Sequence, residues 1–363
     1  MAIDRRTFLV GALAGPLALL PGLARARGGP RFINCRQGED GHAASALDGR
    51  GALLWSTPLP GRGHGMATHP GGRHCAVVAR RPGRFLLVLD IADGRVRHRL
   101  SSVPGRHYCG HAVYGRDGAA LFATENDYEA GRGVIGIYDV AAGYRRRGEI
   151  PSHGVGPHEL RLLGDGHTLV VANGGILTHP DYGRAKLNLD TMASVLSFVD
   201  ARDGRLEAAH RLPAALHQLS IRHIDVAADG TVALAMQYQG AASAAVPLVG
   251  LARAQEGMRL LEAPAELTAR MRNYCGSVAF NATGERFAVS APRGGLVIFW
   301  SADGRFLDHR ELADGCAVAP DPRGAGFALS SGRGQVVFTD APGRPGPHRF
   351  PDSRWDNHMS LAG

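Results

Sequence analysis

Apolar residues in this chain come in short runs that a Gly-bearing turn soon interrupts. Leu86 to Asp90, Val134 to Asp139, Thr168 to Ala172, Val195 to Asp200, Phe287 to Ser290 and Leu296 to Trp300 are examples. Runs this short, rich in Val, Ile, Leu and Phe and flanked by Asp-Gly or Asn-Gly type turns, predict strands joined as hairpins, because Gly supplies the positive φ the turn needs. One unit recurs about every 40 residues, a period that belongs to repeat architectures. It consists of a polar residue, a short apolar strand, a turn ending in Gly, then a second apolar strand. Copies begin at His64, His111, His158, His223, Ser277 and Cys316, and their first turns end at Gly72, Gly118, Gly166, Gly230, Gly284 and Gly324. A third strand ending near Asp-x-x-x-Gly follows several of them, as at Asp90 with Gly94 and Asp200 with Gly204.

Each unit is therefore a small antiparallel sheet, and the whole predicts a single all-β domain, a seven-bladed β-propeller over residues 27–363. The seventh copy is split. Trp355 to His358 supplies an innermost strand, while Arg31 to Arg36 and Ala52 to Trp55 supply others, so pairing of N- and C-terminal strands is expected to close the ring. An open solenoid would need capping repeats with polar outer faces, and none is visible. Longer insertions at Glu125 to Arg132, Gly174 to Ala193 and Gln239 to Ala245 mark the expected working face.

The innermost strands of a propeller line its channel, so a residue type repeated at their start gathers around the axis. Five copies place a histidine there: His64, His111, His158, His223 and His358. Ser277 and Cys316 complete the circle. Imidazole and thiolate are ligands that transition metals prefer, which makes the five histidines and Cys316 a predicted site for iron or copper. The alternative is that each ring nitrogen bonds backbone between blades, repeated because the unit was duplicated. His69, His74, His107, His153 and His179 are off register and are read as surface or structural residues. Around the ring, Arg81, Glu125, Asn126, Asn173, Ser277 and Arg293 are expected to form a polar shell that orients imidazoles or meets a substrate, with Arg81 and Arg293 suited to an anion.

Composition adds boundaries. The net charge of +8 over 363 residues comes from arginine, since Lys186 is the only lysine. These arginines are scattered through turns rather than gathered in a stripe, so no nucleic-acid role is expected. Five cysteines cannot all pair within the chain. Cys35 and Cys75, inside strand-like runs, read as small buried hydrophobes. At the N-terminus, Asp4-Arg5-Arg6-Thr7-Phe8-Leu9 precedes an Ala/Gly/Leu-rich stretch ending in Ala24-Arg25-Ala26. Residues 1–26 thus read as a twin-arginine signal peptide, which sends the folded chain to the periplasm. No later segment is apolar and long enough to span a bilayer.

Several longer motifs point to a family. Tyr108-Cys-Gly-His-Ala-Val-Tyr, Thr124-Glu-Asn-Asp-Tyr-Glu-Ala-Gly-Arg-Gly, Ser152-His-Gly-Val-Gly-Pro-His-Glu-Leu, Ala172-Asn-Gly-Gly-Ile and Lys186-Leu-Asn-Leu-Asp-Thr-Met resemble the bacterial "domain of unknown function 1513" family. The resemblance implies an exported protein with a place in periplasmic iron acquisition, beside imelysin-like and di-haem peroxidase-like partners. A monomer is expected. The ring is also similar in principle to the copper-cluster propeller of nitrous oxide reductase, although Ser277 and Cys316 depart from an all-histidine pattern. Two further functions stay open: a metal-free scaffold docking a partner of the iron system, and a lactonase-like hydrolase in which Glu125 and Asn173 hold a divalent ion. No Ser/His/Asp elbow, P-loop or dinucleotide fingerprint stands in a suitable context, so catalysis is left undecided.

Overall fold

In the computed structural model, residues 29, 31–183, 185–340 and 347–363 are described, and the segment read as a signal peptide lies outside them. The described strands form seven four-stranded antiparallel sheets, one per blade. Blade 1 joins both ends of the chain: Arg354–Leu361 is innermost, followed outward by Phe32–Gly38, Gly41–Leu47 and Leu53–Pro58. Its closing register pairs Phe32 with Leu361 and Ile33 with Ser360. The ring is therefore shut by backbone hydrogen bonds between terminal strands, as the split repeat predicts.

Innermost strands of blades 2 to 7 are Gly63–Thr68, Arg106–Tyr114, Pro157–Leu162, Leu219–Val226, Ser277–Phe280 and Gly315–Pro320. Each blade then meanders outward through consecutive strands. Middle strands such as Thr168–Asn173 are buried along their whole length because other sheets cover both faces. Outermost strands such as Val96–Ser101 alternate instead, with one face wet. Apolar packing lies between blades: Val170 and Phe198 of blade 4 share a cluster with Leu234 and Met236 of blade 5 and Val289 and Trp300 of blade 6. Among the described residues, helix is confined to Ala265–Arg270 and three short 3-10 turns, and none of it is long and apolar enough to cross a membrane.

The expected insertions come out unequally. Glu125 to Arg132 is mostly strand, since Ala120–Asp127 and Arg132–Asp139 extend the blade 3 hairpin and pair Asp127 with Arg132. Gly174 to Ala193 is an excursion outside the sheets, carrying the 3-10 turn Pro180–Tyr182. All five cysteines are free and buried.

Candidate metal centre

Strand geometry alone does not aim the ring residues at the axis; local irregularities do. Along six of the seven innermost strands, register with the neighbour shifts at the ring residue, His358, His64, His111, His158 or Cys316, or beside it, at Arg222 next to His223. The Ser277 strand pairs without a shift. A bulge leaves a residue out of the ladder and re-aims its side chain; in five blades that residue is the ring residue itself, and in blade 5 it is Arg222, while His223 pairs with Ala235. Two glycines make the room. A Cβ on Gly65 would lie 2.7 Å from His111 Nδ1, and one on Gly110 would lie 2.6 Å from His64 Cδ2.

The result is a layer of five imidazoles across the channel. His64 lies 5.0 Å from His111, 5.4 Å from His158 and 4.6 Å from His358, centroid to centroid. His223 lies 4.7 Å from His158 and 4.6 Å from His358, while His111 and His358 are 4.5 Å apart. All five are buried. Two carboxylates hold the layer from outside. The Nδ1–H of His64 donates to Asp356 Oδ1 at 2.8 Å, and that of His223 donates to Glu159 Oε2 at 3.1 Å. Glu159 Oε1 stands 3.6 Å from His111 Nδ1 and 2.8 Å from the Arg161 guanidinium.

Because a carboxylate only accepts, the proton of His64 is fixed on Nδ1 and a bare lone pair is left on Nε2. That nitrogen, with Nε2 of His111 and of His358, is buried without a hydrogen-bond partner. An unsatisfied buried polar atom costs about 1–3 kcal/mol, so three in one layer mark a place built to receive something. Ligand-type atoms converge in two overlapping groups, His64 with His111 and His158, and His111 with Glu159, His223 and His358, each within 4.8 Å. Burial first, then neighbouring imidazoles and arginines, holds His64, His111, His158 and His223 well below their ordinary pKa, and His358 falls to about 3. All five are thus neutral near pH 7, the form that ligates metal.

The layer divides the channel. On one side, a cavity of about 610 Å³ touches His64, His158 and His223. It is walled by segments that follow second strands, including Arg81, Gln239 and Arg293. On the other, a cavity of about 300 Å³ touches His111 and His358 together with Glu159, Asp225 and Ser277.

Other sequence-predicted residues fall in different places. Cys316 occupies the ring register on blade 7 but belongs to neither ligand group. Its thiol faces the carbonyl oxygens of Trp355 and Asp356 at 3.2 and 3.4 Å, and burial pushes its pKa well up, away from the thiolate a metal needs. Glu125 lies in a strand and turns into blade 3, accepting from Tyr138 Oη at 2.6 Å and from Arg146 at 2.8 Å. Asn173 donates to Ser152 O at 2.9 Å and Ser197 Oγ at 3.1 Å, and Asn126 bonds His107 and Thr178, so both brace blades. Arg293 stacks 4.4 Å over the Tyr274 ring at the mouth of the larger cavity.

Sequence reasoning missed Glu159, Asp356 and Arg222. Each sits one or two residues from a ring histidine, so proximity to the repeat position was a usable signal. Strict alternation would send Glu159 and Arg222 to the face opposite His158 and His223. Only the bulges at those points bring both neighbours into the channel region.

Fold and site define a class: a seven-bladed propeller whose channel is crossed by a buried imidazole layer. Residues 57–362 match a family described as "Protein of unknown function (DUF1513)", and the chain belongs to it. No curated protein matches the chain. Among solved structures, Kuenenia stuttgartiensis hydrazine synthase is similar at TM-score 0.61 and 13% identity, covering 86% of this chain and 96% of that one. At that identity the likeness concerns the fold.

Proposed function

We propose that this is an exported metal-handling protein which binds a transition-metal ion, iron or copper, in the histidine layer of its channel. The observation that carries this reading is the set of buried, unpartnered Nε2 atoms on His64, His111 and His358, whose ring orientation is fixed on His64 by Asp356. Carboxylate-oriented imidazole is the usual outer arrangement of a metal-binding histidine. The donor set favours iron(II) over copper(I). Its imidazole nitrogens are backed by the carboxylates of Glu159 and Asp356, while the soft thiol of Cys316 stands apart. The alternative use of the histidines as backbone ties between blades is not supported, because the Nε2 atoms in question meet no backbone group. A lactonase-like site built on Glu125 and Asn173 is likewise unsupported, since both are engaged within blades.

Location in the periplasm and a role beside imelysin-like or peroxidase-like proteins of iron acquisition belong to the same proposal, through the signal-like N-terminus and the family. Elemental analysis of natively exported protein tests the centre of it. Metal near one equivalent or more is expected in the parent, with loss in the His111→Ala/His158→Ala variant and retention in Cys316→Ala. Near-zero metal in parent and double variant alike overturns the reading.

A further inference from the structure

Among the described residues, the larger cavity over the histidine layer is lined by six cationic side chains, Arg80, Arg81, Lys186, Arg222, Arg272 and Arg293, and by no aspartate or glutamate. Elsewhere arginines meet carboxylates directly, as Arg106 does with Asp127 and Glu149. Arg80 stands 3.8 Å from Asp356, which lies outside the lining, and Arg293 lies over the Tyr274 ring. The Arg222 Nε–H, buried next to the His223 backbone, has no acceptor. Gathering like charges around a partly enclosed space is unfavourable unless an anion shares it, and low-dielectric walls focus the resulting positive potential. In the cavity across the layer the one lining guanidinium, Arg161, is matched by Glu159 at 2.8 Å and Asp225 at 3.5 Å.

We propose that the 610 Å³ cavity binds a small polyanionic oxygen ligand, of the polycarboxylate or phosphate class, held by these guanidinium groups directly above the imidazoles. Volume argues for a small molecule, since pockets of about 300–1,000 Å³ take ligands of that size. Guanidinium argues for the oxyanion, because its planar fork matches carboxylate and phosphate with two parallel bonds. His64, His158 and His223 form part of the same wall, so the oxygens of such a ligand face whatever metal the layer holds. That coupling rests on the metal reading; the anion site does not.

Calorimetric titration of the chelator-stripped mature protein with citrate, with inorganic phosphate and with acetate tests the proposal. One equivalent of citrate or phosphate is expected to bind at least tenfold tighter than acetate and to weaken as salt is raised. The stronger of the two identifies the class. Arg222→Gln and the rim variant Arg293→Gln are expected to weaken that binding about tenfold or more, while Arg253→Gln, whose guanidinium pairs with Asp229 away from the cavity, leaves it unchanged. Arg293 is exposed, so its variant tests the site even if Arg222→Gln fails to fold. Polyanion binding no tighter than acetate, or equal in parent and Arg293→Gln, overturns the inference. A protein that holds metal but no polyanion sinks this proposal alone, and one that holds polyanion but no metal sinks only the metal reading.

Discussion

Replacing Gly110 by alanine probes the geometry that forms the histidine layer. Gly110 has φ of 114°, outside the region comfortable for any L side chain. A residue held there costs of order 1–3 kcal/mol. The added methyl would stand 2.6 Å from His64 Cδ2, about 1 Å inside an ordinary carbon contact. His64 cannot simply swing away, because Asp356 holds its Nδ1 and the rings of His111 and His358 lie 5.0 and 4.6 Å off. Overpacking of this kind adds about 1–3 kcal/mol. Gly110→Ala should therefore destabilise the metal-free protein by about 2–6 kcal/mol, read as a lowered urea midpoint at unchanged slope. Gly72→Ala separates the two costs. Its φ of 66° is also positive, but nothing lies within 4 Å of the added carbon, so only about 1–2 kcal/mol of backbone cost is expected. Metal content should fall in the Gly110 variant and stay in the Gly72 variant. Equal losses of stability in the two would refute the crowding argument and with it the packed imidazole layer.

Further outcomes follow from the same contacts. Glu159→Gln keeps the volume but removes the charge that orients His223 and His111, and should weaken metal binding about 10- to 100-fold in chelator competition, with unchanged affinity refuting the role. Glu125→Ala strips the buried partner of Arg146 and Tyr138 and should cost about 3–5 kcal/mol on denaturation while leaving metal stoichiometry alone; loss of metal at retained stability would return Glu125 to the site. The folded-state pKa of each ring histidine is depressed, so the unfolded chain binds protons that the folded chain refuses. Stability of the metal-free protein is then complete above pH of about 6.5 and is lost as pH falls towards the folded values, about 3 for His358. From pH 7 to pH 5 the loss is about 2 kcal/mol for a single such histidine, and a urea midpoint that holds or rises over that interval would contradict it.

How much of this was legible beforehand depends on the range of the forces involved. Blade identity, blade number and closure by Arg354–Leu361 against Phe32–Gly38 follow from a local signal repeated seven times, since each hairpin is set by its own turn residues and apolar runs. The register of His64, His111, His158, His223 and His358 was legible for the same reason, because symmetry of the repeat carries over into symmetry about the axis. Tertiary structure alone decided which neighbours of those histidines also face inward. Bulges turn Glu159 and Asp356 into partners of imidazoles on other blades, and a bulge is a compromise between strands that no single strand encodes. It likewise decided that Cys316, in register by sequence, points its thiol at backbone carbonyls. It placed Glu125 against Arg146 inside a blade, and it collected scattered arginines from separate loops into one cavity. Composition fixes how many such charges exist; only closure of the ring decides which of them share a space.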